Sequence, residues 1–180
     1  MIFLLKGAKI KQDGHWGFIN KNGKVTVNPI NRNAERFSNG VARVRKQDSW
    51  SFIDITGTLL FDANFENAEN FVNGIARVRM NNGDKWGYIK KDGTPLFSKT
   101  FDHAYDFYFG VARVKEDGLW YFIDASGNYL FNRHFAHAEN FVNGLARVED
   151  NNLWGYINKK GEWVIKPTYN NAHDFRKVSE

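Results

Sequence analysis

The sequence contains no cysteine, so disulfides and thiolate metal sites are excluded and the redox compartment stays open. Its three prolines, Pro29, Pro95 and Pro167, all lie outside the strands led by Trp16, Trp50, Trp86, Trp120 and Trp154. No apolar run approaches the ~20 residues of a membrane-spanning helix. The opening run Ile2–Leu5 is too short for a secretory signal, and no basic residue precedes it. It reads as a buried first strand, and a cytoplasmic protein is the expectation. Basic and acidic residues, 25 and 20 of them, are interspersed without a Lys/Arg block. The net charge of +5 is ordinary solubility charge, and the clustered footprint of a nucleic-acid binder is missing. Catalytic patterns are equally scarce. Ser38 and Ser126 sit in turn sequences, the glycines form no phosphate-cradling run, and the acidic residues are scattered over turns.

Aromatics are abundant: 16 Phe, 7 Tyr and 6 Trp. They are also periodic. Trp16, Trp50, Trp86, Trp120 and Trp154 step by 34, 36, 34 and 34 residues. Gly23, Gly57, Gly93, Gly127 and Gly161 keep the same steps, as do the alanines from Ala34 to Ala172 and the phenylalanines from Phe37 to Phe175. Four markers in five copies establish an internal repeat, and alternate repeats are the more alike. The units run about 3–36, 37–70, 71–106, 107–140 and 141–175, within one domain spanning 1–180.

Within a unit, Ile75-Ala-Arg-Val-Arg alternates in character and predicts a strand. An Asn/Gly-rich turn from Met80 to Asp84 absorbs the two extra residues of the 36-residue step. Lys85-Trp-Gly-Tyr-Ile-Lys predicts the second strand, Lys91-Asp-Gly a tight turn, and Thr94–Phe97 the third strand. Phe101, Ala104 and Phe107 are then spaced by three, like Phe65, Ala68 and Phe71, which predicts a short helical turn closed by the following glycine. The fold class is therefore all-β, with five tandem ~34-residue units of three antiparallel strands plus a helical turn. Three short strands bury too little alone, so neighbouring units stack through their aromatic rings. A propeller-like ring is favoured over an open β-superhelix, because a ring leaves no end unit to cap.

The strands Trp16-Gly-Phe-Ile, Lys85-Trp-Gly-Tyr-Ile and Trp154-Gly-Tyr-Ile resemble the bacterial WG (KWG) repeat. The following Asn158-Lys-Lys-Gly turn, the Trp163-Val-Ile-Lys-Pro-Thr-Tyr segment and the Ala138–Val148 stretch resemble it too. Ser51 and Tyr121 depart from it by replacing the glycine. The resemblance implies a non-catalytic interaction module without agreed catalytic residues. A non-enzymatic scaffold for a protein or peptide partner is thus expected. The alternative is a glycan- or cell-wall-binding module using exposed aromatics such as Trp163 and Tyr129.

Departures from the repeat are the best candidates for a site. Tyr105, Tyr108 and Phe109 make the stretch where the third unit meets the fourth rich in aromatics, and Phe109 aligns with Asn39, Asn73 and Asn143. With Trp163 they are the expected partner-binding residues. Arg43, Arg77, Arg113 and Arg147 recur once per unit as candidates for contacting anions, or as structural ion pairs to Glu35, Glu69, Asp106 or Glu139. His134 and His137 lie three apart, and His103, beside Asp102, is the counterpart of His137. No second ligand pair has zinc spacing, so these read as surface residues, and no metal or cofactor is implied.

Overall fold

Each period of the chain folds as a chain of antiparallel hairpins. A computed structural model describes residues 7–80 and 83–175. The expected first strand at Ile2–Leu5 and part of the Met80–Asp84 turn lie outside the described residues. The rest divides into two compact units between Ser98 and Lys99.

The first unit opens with a three-stranded sheet of β1 (Ala8–Gln12), β2 (His15–Ile19) and β3 (Val25–Asn31), in that order. A six-stranded sheet follows: β4 (Asn33–Ala34), β5 (Val41–Lys46), β6 (Ser49–Asp54), β7 (Phe65–Ala68), β8 (Ile75–Met80) and β9 (Trp86–Lys90), again in chain order. The second unit holds β10 (His103–Ala104), β11 (Ala112–Glu116) and β12 (Leu119–Ile123) in one sheet. Its other sheet is β13 (His137–Ala138), β14 (Leu145–Asp150), β15 (Leu153–Asn158) and β16 (Trp163–Tyr169). All pairings are antiparallel, as expected for strands joined by short turns.

Two expectations are corrected. Among the described residues there is no helix. The segment holding Phe101, Ala104 and Phe107 is extended, and Ala104 pairs with Val114. Its backbone N–H groups are satisfied by the next hairpin rather than by i−4 carbonyls: Asp102 N–H donates to Lys115 O at 2.9 Å and Tyr105 N–H to Arg113 O at 3.1 Å. The spacing of three arises because the two-residue strand ends after Ala104, and irregular backbone brings Phe107 back to the core. The glycines expected to close helices instead occupy two-residue hairpin turns. Val72 and Ile75 exchange both backbone hydrogen bonds (2.9 and 3.0 Å) across Asn73 (φ 51°) and Gly74 (φ 83°), a type I′ turn.

The third strand also differs between repeats. It is fully formed only as β3 and β16, while in the middle repeats it shrinks to the single bridges Ile53↔Leu59, Ile89↔Pro95 and Ile123↔Tyr129. The glycine after tryptophan explains part of this. A Cβ on Gly17 would lie 2.4 Å from Val27 O, and one on Gly155 would lie 2.6 Å from Ile165 O. The full strand runs so close that only hydrogen fits. Ser51 and Tyr121 occupy that space in their repeats, and the third strand stands off.

The core lies between consecutive repeats. Phe18 packs on Phe37 (4.6 Å between centroids, 55°), Phe52 on Phe71 (4.8 Å, 55°), Phe122 on Phe141 (4.9 Å, 52°) and Tyr156 on Phe175 (4.9 Å, 53°). The first three pairs join the second long strand of one repeat to the first ring of the next, and Tyr156–Phe175 makes the same contact within the last repeat. The tilted geometry suits the ring quadrupoles and is worth ~0.5–1.5 kcal/mol per pair beyond area burial. A second seat crosses the same boundary. Phe131 lies over Gly161, where a Cβ would meet its ring at 2.5 Å, and Phe61 lies over Gly93 in the same way.

Strand-one cations tie the hairpin of a repeat to that repeat's closing segment. Lys9 sits over Trp16 at 3.8 Å and donates to Ala34 O at 2.7 Å. Arg147 sits over Trp154 at 5.3 Å, donates to Ala172 O at 2.5 Å and pairs with Asp174 at 2.9 Å. Arg113 repeats this on Trp120 (5.0 Å), the Ala138 carbonyl and Glu139 (2.8 Å).

The hairpin after the tryptophan strand is held by one side chain. Asn20, Asp54, Asp124 and Asn158 each accept N–H bonds from the residues two and four ahead, at 2.8–3.1 Å. These bonds hold the carboxyls of Asp54 and Asp124 below the usual aspartate range. The Thr56 hydroxyl is the largest cause at Asp54 and the Asn128 N–H at Asp124. Asp92 is lowered chiefly by the Thr94 hydroxyl.

Two outcomes are expected. Gly155→Ala forces backbone apart and destabilises the protein by about 1–3 kcal/mol. Amide exchange should show β16 losing protection while the β14–β15 hairpin keeps its own, and unchanged protection of β16 would contradict the close approach. For the turn carboxylates, the unfolded chain binds more protons near pH 4, so stability rises with pH there. The stabilisation is complete above the ordinary aspartate pKa and is lost as pH falls through the lowered one. Replacing Asp54, Asp92 and Asp124 together by Asn should flatten the acid limb of melting temperature against pH, because Asn20 and Asn158 already accept the same bonds without a charge.

Candidate functional site

The type I′ turn just described recurs along the chain, and three of its copies use Asn-Gly: Asn39-Gly40, Asn73-Gly74 and Asn143-Gly144. Asparagine tolerates the left-handed region, so the choice follows from backbone sterics. The fourth copy is Tyr108-Phe109-Gly110-Val111. Tyr108 and Val111 exchange backbone hydrogen bonds at 2.9 and 3.1 Å, as their siblings do. Phe109 therefore takes φ 51° with a bulky aromatic side chain. That conformation costs about 1–2 kcal/mol in an L-residue without local compensation. Its ring gains nothing from the core, being 88% exposed. The ammonium of Lys159, from the hairpin of the last repeat, stands 4.9 Å from the ring centroid. Tyr108 beside it is 48% exposed.

The other expected site residues are distributed. Tyr105 is half-buried, with the Arg113 guanidinium 3.9 Å over its ring and Trp120 at 5.9 Å. Trp163 packs edge-on against Phe135 at 6.2 Å and carries Arg133 at 5.1 Å. Tyr108 and Phe109 are thus adjacent on the surface, whereas Tyr105 and Trp163 are packed among other rings. Of the arginines, Arg43 lies over Trp50 at 4.8 Å and pairs with Glu69 at 3.3 Å, and Arg77 lies over Trp86 at 5.6 Å. Arg113 and Arg147 bridge to the closing segments of their own repeats as above. Tyr129, named with Trp163 for glycans, packs at a tilt of 39° against Tyr121 at 4.8 Å, with Lys99 at 4.1 Å. Burial, followed by its hydrogen bond to Glu116, pushes the Tyr129 hydroxyl pKa up. Among the described residues no three His, Cys, Asp or Glu side chains converge as a metal site. Among the described residues no helix is long and apolar enough to cross a membrane.

A second concavity had no sequence expectation. A cavity of about 310 Å³ opens between the first two repeats, floored by Val27, Asn31, Val44, Ser51 and Ile53. The buried polar side chains of the described chain are Asn31, Ser51 and Arg113, and two of these three line this cavity. Asn31 occupies the position of Phe65, Phe101 and Phe135, which are all buried in the core. That replacement was visible in the sequence as an atypical end repeat, and Ser51 as a lost glycine. Nothing local indicated that the two face one space.

Among curated proteins, none matches the sequence. Solved structures show likeness of fold. KlHsv2 with loop 6CD replaced by a Gly-Ser linker matches with a TM-score of 0.53 at 11% identity, over 87% of this chain and 60% of that one. Kluyveromyces lactis Hsv2 with complete loop 6CD gives 0.53 at 10%, over 88% and 58%. Kluyvelomyces marxianus Hsv2 gives 0.50 at 10%, over 89% and 55%. The chain thus spans about three fifths of the length of these β-propeller structures or slightly less. The family profile described as WG containing repeat matches residues 16–50, 50–83, 86–120, 122–154 and 154–177. With five tandem matches covering most of its length, the chain belongs to the WG containing repeat family.

Proposed function

We propose that the protein is a non-catalytic repeat scaffold that binds a protein or peptide partner through the Tyr108–Phe109 turn. The observation that carries this reading is Phe109 itself. An aromatic residue holds a left-handed backbone conformation where three siblings use asparagine, and its ring is turned to solvent. Strain kept at an exposed aromatic is the signature of a side chain retained for contact. The Lys159 ammonium beside the ring suits a partner that presents an apolar side chain next to an acidic one. The non-catalytic reading is supported by the lowered carboxyls, which all serve hairpin hydrogen bonds rather than converging in a cleft.

The propeller-like ring inferred from the period, and the reading of residues 1–180 as one domain, belong to this proposal. They stand on the repeat and on the fold likeness. The glycan alternative would use Trp163 and Tyr129, whose rings are already engaged by Arg133 and Phe135 and by Lys99 and Tyr121. The exposed turn is therefore the favoured surface.

Phe109→Asn restores the sibling residue and separates the two roles of the turn. The variant should be more stable by about 1 kcal/mol in denaturant unfolding, because the left-handed strain is relieved. Peptides selected from a display library on the wild-type protein should bind the variant about tenfold more weakly or worse, a loss of at least ~1.4 kcal/mol. Equal affinity for wild type and variant would remove the turn from the function.

A further inference from the structure

The cavity between the first two repeats lies in the other compact unit from the Phe109 turn, so it is independent of that surface. Its existence follows from two substitutions. Where the other repeats with this position in the core place a phenyl ring, Asn31 places a carboxamide that is 1% exposed. Where Tyr121 fills the equivalent space in the fourth repeat with a ring against Tyr129 and His134, Ser51 is small. Either sibling residue would close the space. Both retained residues are polar, and burying polar side chains is costly unless they have partners.

Those partners are only half supplied. Asn31 Nδ2 donates to Trp16 O at 3.0 Å, and its Oδ1 accepts no hydrogen bond among the described residues. Ser51 Oγ donates to Asn64 Oδ1 at 2.9 Å, leaving the hydroxyl's lone pairs and the Asn64 NH₂ open. The cavity therefore offers a carbonyl acceptor, a hydroxyl acceptor and amide donors over a floor of Val27, Val44 and Ile53. Exposed Ile30 and Leu59 flank its mouth, with Lys46 the one charged side chain on its walls. Among the described residues no carboxylate, imidazole or aromatic ring lines it, which argues against a metal ion, a cationic ligand or acid–base chemistry.

We infer that this cavity is a binding site for a small polyhydroxylated molecule of monosaccharide size. Hydroxyl groups both donate and accept, which is what an interleaved set of carboxamides and a serine can satisfy. A volume near ten water molecules holds about a dozen non-hydrogen atoms, the size of a pyranose with its hydroxyls. The aliphatic floor meets the C–H face of such a ring. The site uses none of the exposed rings of the glycan alternative, and it sits where two repeats meet.

The test uses side-chain amide NMR signals of the full chain titrated with glucose, galactose, N-acetylglucosamine and glucuronate. At least one sugar should shift the Asn31 and Asn64 NH₂ signals along a saturating curve, with a Kd of about a millimolar or tighter. Asn31→Phe, which restores the sibling ring, should weaken that sugar about tenfold or more without lowering the melting temperature. Should that variant fail to fold, Ser51→Tyr, which copies the residue of the fourth repeat, makes the same measurement. Phe109→Asn should leave the titration unchanged, so this site and the turn stand or fall separately. No response to any of the four sugars, or an equal response in the filled variants, would overturn the assignment.

Discussion

The tilted pairing of a strand ring with a ring about nineteen residues further on, as in Phe18–Phe37, Phe52–Phe71 and Phe122–Phe141, is the interaction on which the rest depends. A single repeat here has two long strands, a two- to four-residue strand and, in two cases, a third long one. Such a hairpin has no interior of its own, and isolated hairpins are marginal in water. The rings of Phe18, Phe52 and Phe122 are covered by Phe37, Phe71 and Phe141 of the next repeat, and Tyr156 is covered in the same way by Phe175 at the end of the last one. The near-constant separation and tilt of these pairs show one packing solution used repeatedly. The Arg/Lys contact with tryptophan and the hydrogen bond onward to an alanine carbonyl tie the hairpin to the segment that leads into the boundary. Individually these are modest, about 0.5–1 kcal/mol for an exposed cation–π contact. Their contribution is to fix the register in which the rings meet.

Lys9, Arg113 and Arg147 share one arrangement, each cation lying over a tryptophan and donating to an alanine carbonyl. A surface array for anions would hold its guanidinium groups in solvent. Arg113 is instead 7% exposed, held among the rings of Tyr105 and Trp120 and the Ala138 carbonyl at the end of its own repeat. Arginine suits this because its planar group stacks and donates at once. Lys9 performs the same task in the first repeat with a point charge, reaching both the ring of Trp16 and the carbonyl of Ala34.

Much of this architecture is legible in the residues, and what is not has a physical reason. The period, the tryptophan strand and its glycine-closed turn all depend on local pattern, and they appear where the pattern puts them. The third-strand difference was hidden because it depends on backbone passing within 2.4–2.6 Å of the Cβ position of a glycine on the neighbouring strand. The Phe-x-x-Ala-x-x-Phe spacing misled because period three has two origins, a helical face or a strand interrupted by irregular backbone, and a short segment does not distinguish them. The Asn-Gly pairs at 39–40, 73–74 and 143–144 were the corrective signal, being strong hairpin formers. At the sites, Phe109 was visible as a break in a repeating column. The cavity was not, because Asn31 and Ser51 are ordinary residues until pairing and packing turn them toward one space.

The seat of one repeat's ring on the next repeat's hairpin glycine has a consequence for how such chains change in length. Phe131 needs Gly161, and Phe61 needs Gly93, so each joint draws half its parts from either side of the boundary. Copying or deleting a whole period regenerates a complete joint wherever the cut falls, because every ring again finds a hydrogen-only surface below it. A change of any other length strands a phenyl group above a side chain. Growth of the array is therefore quantised by sterics.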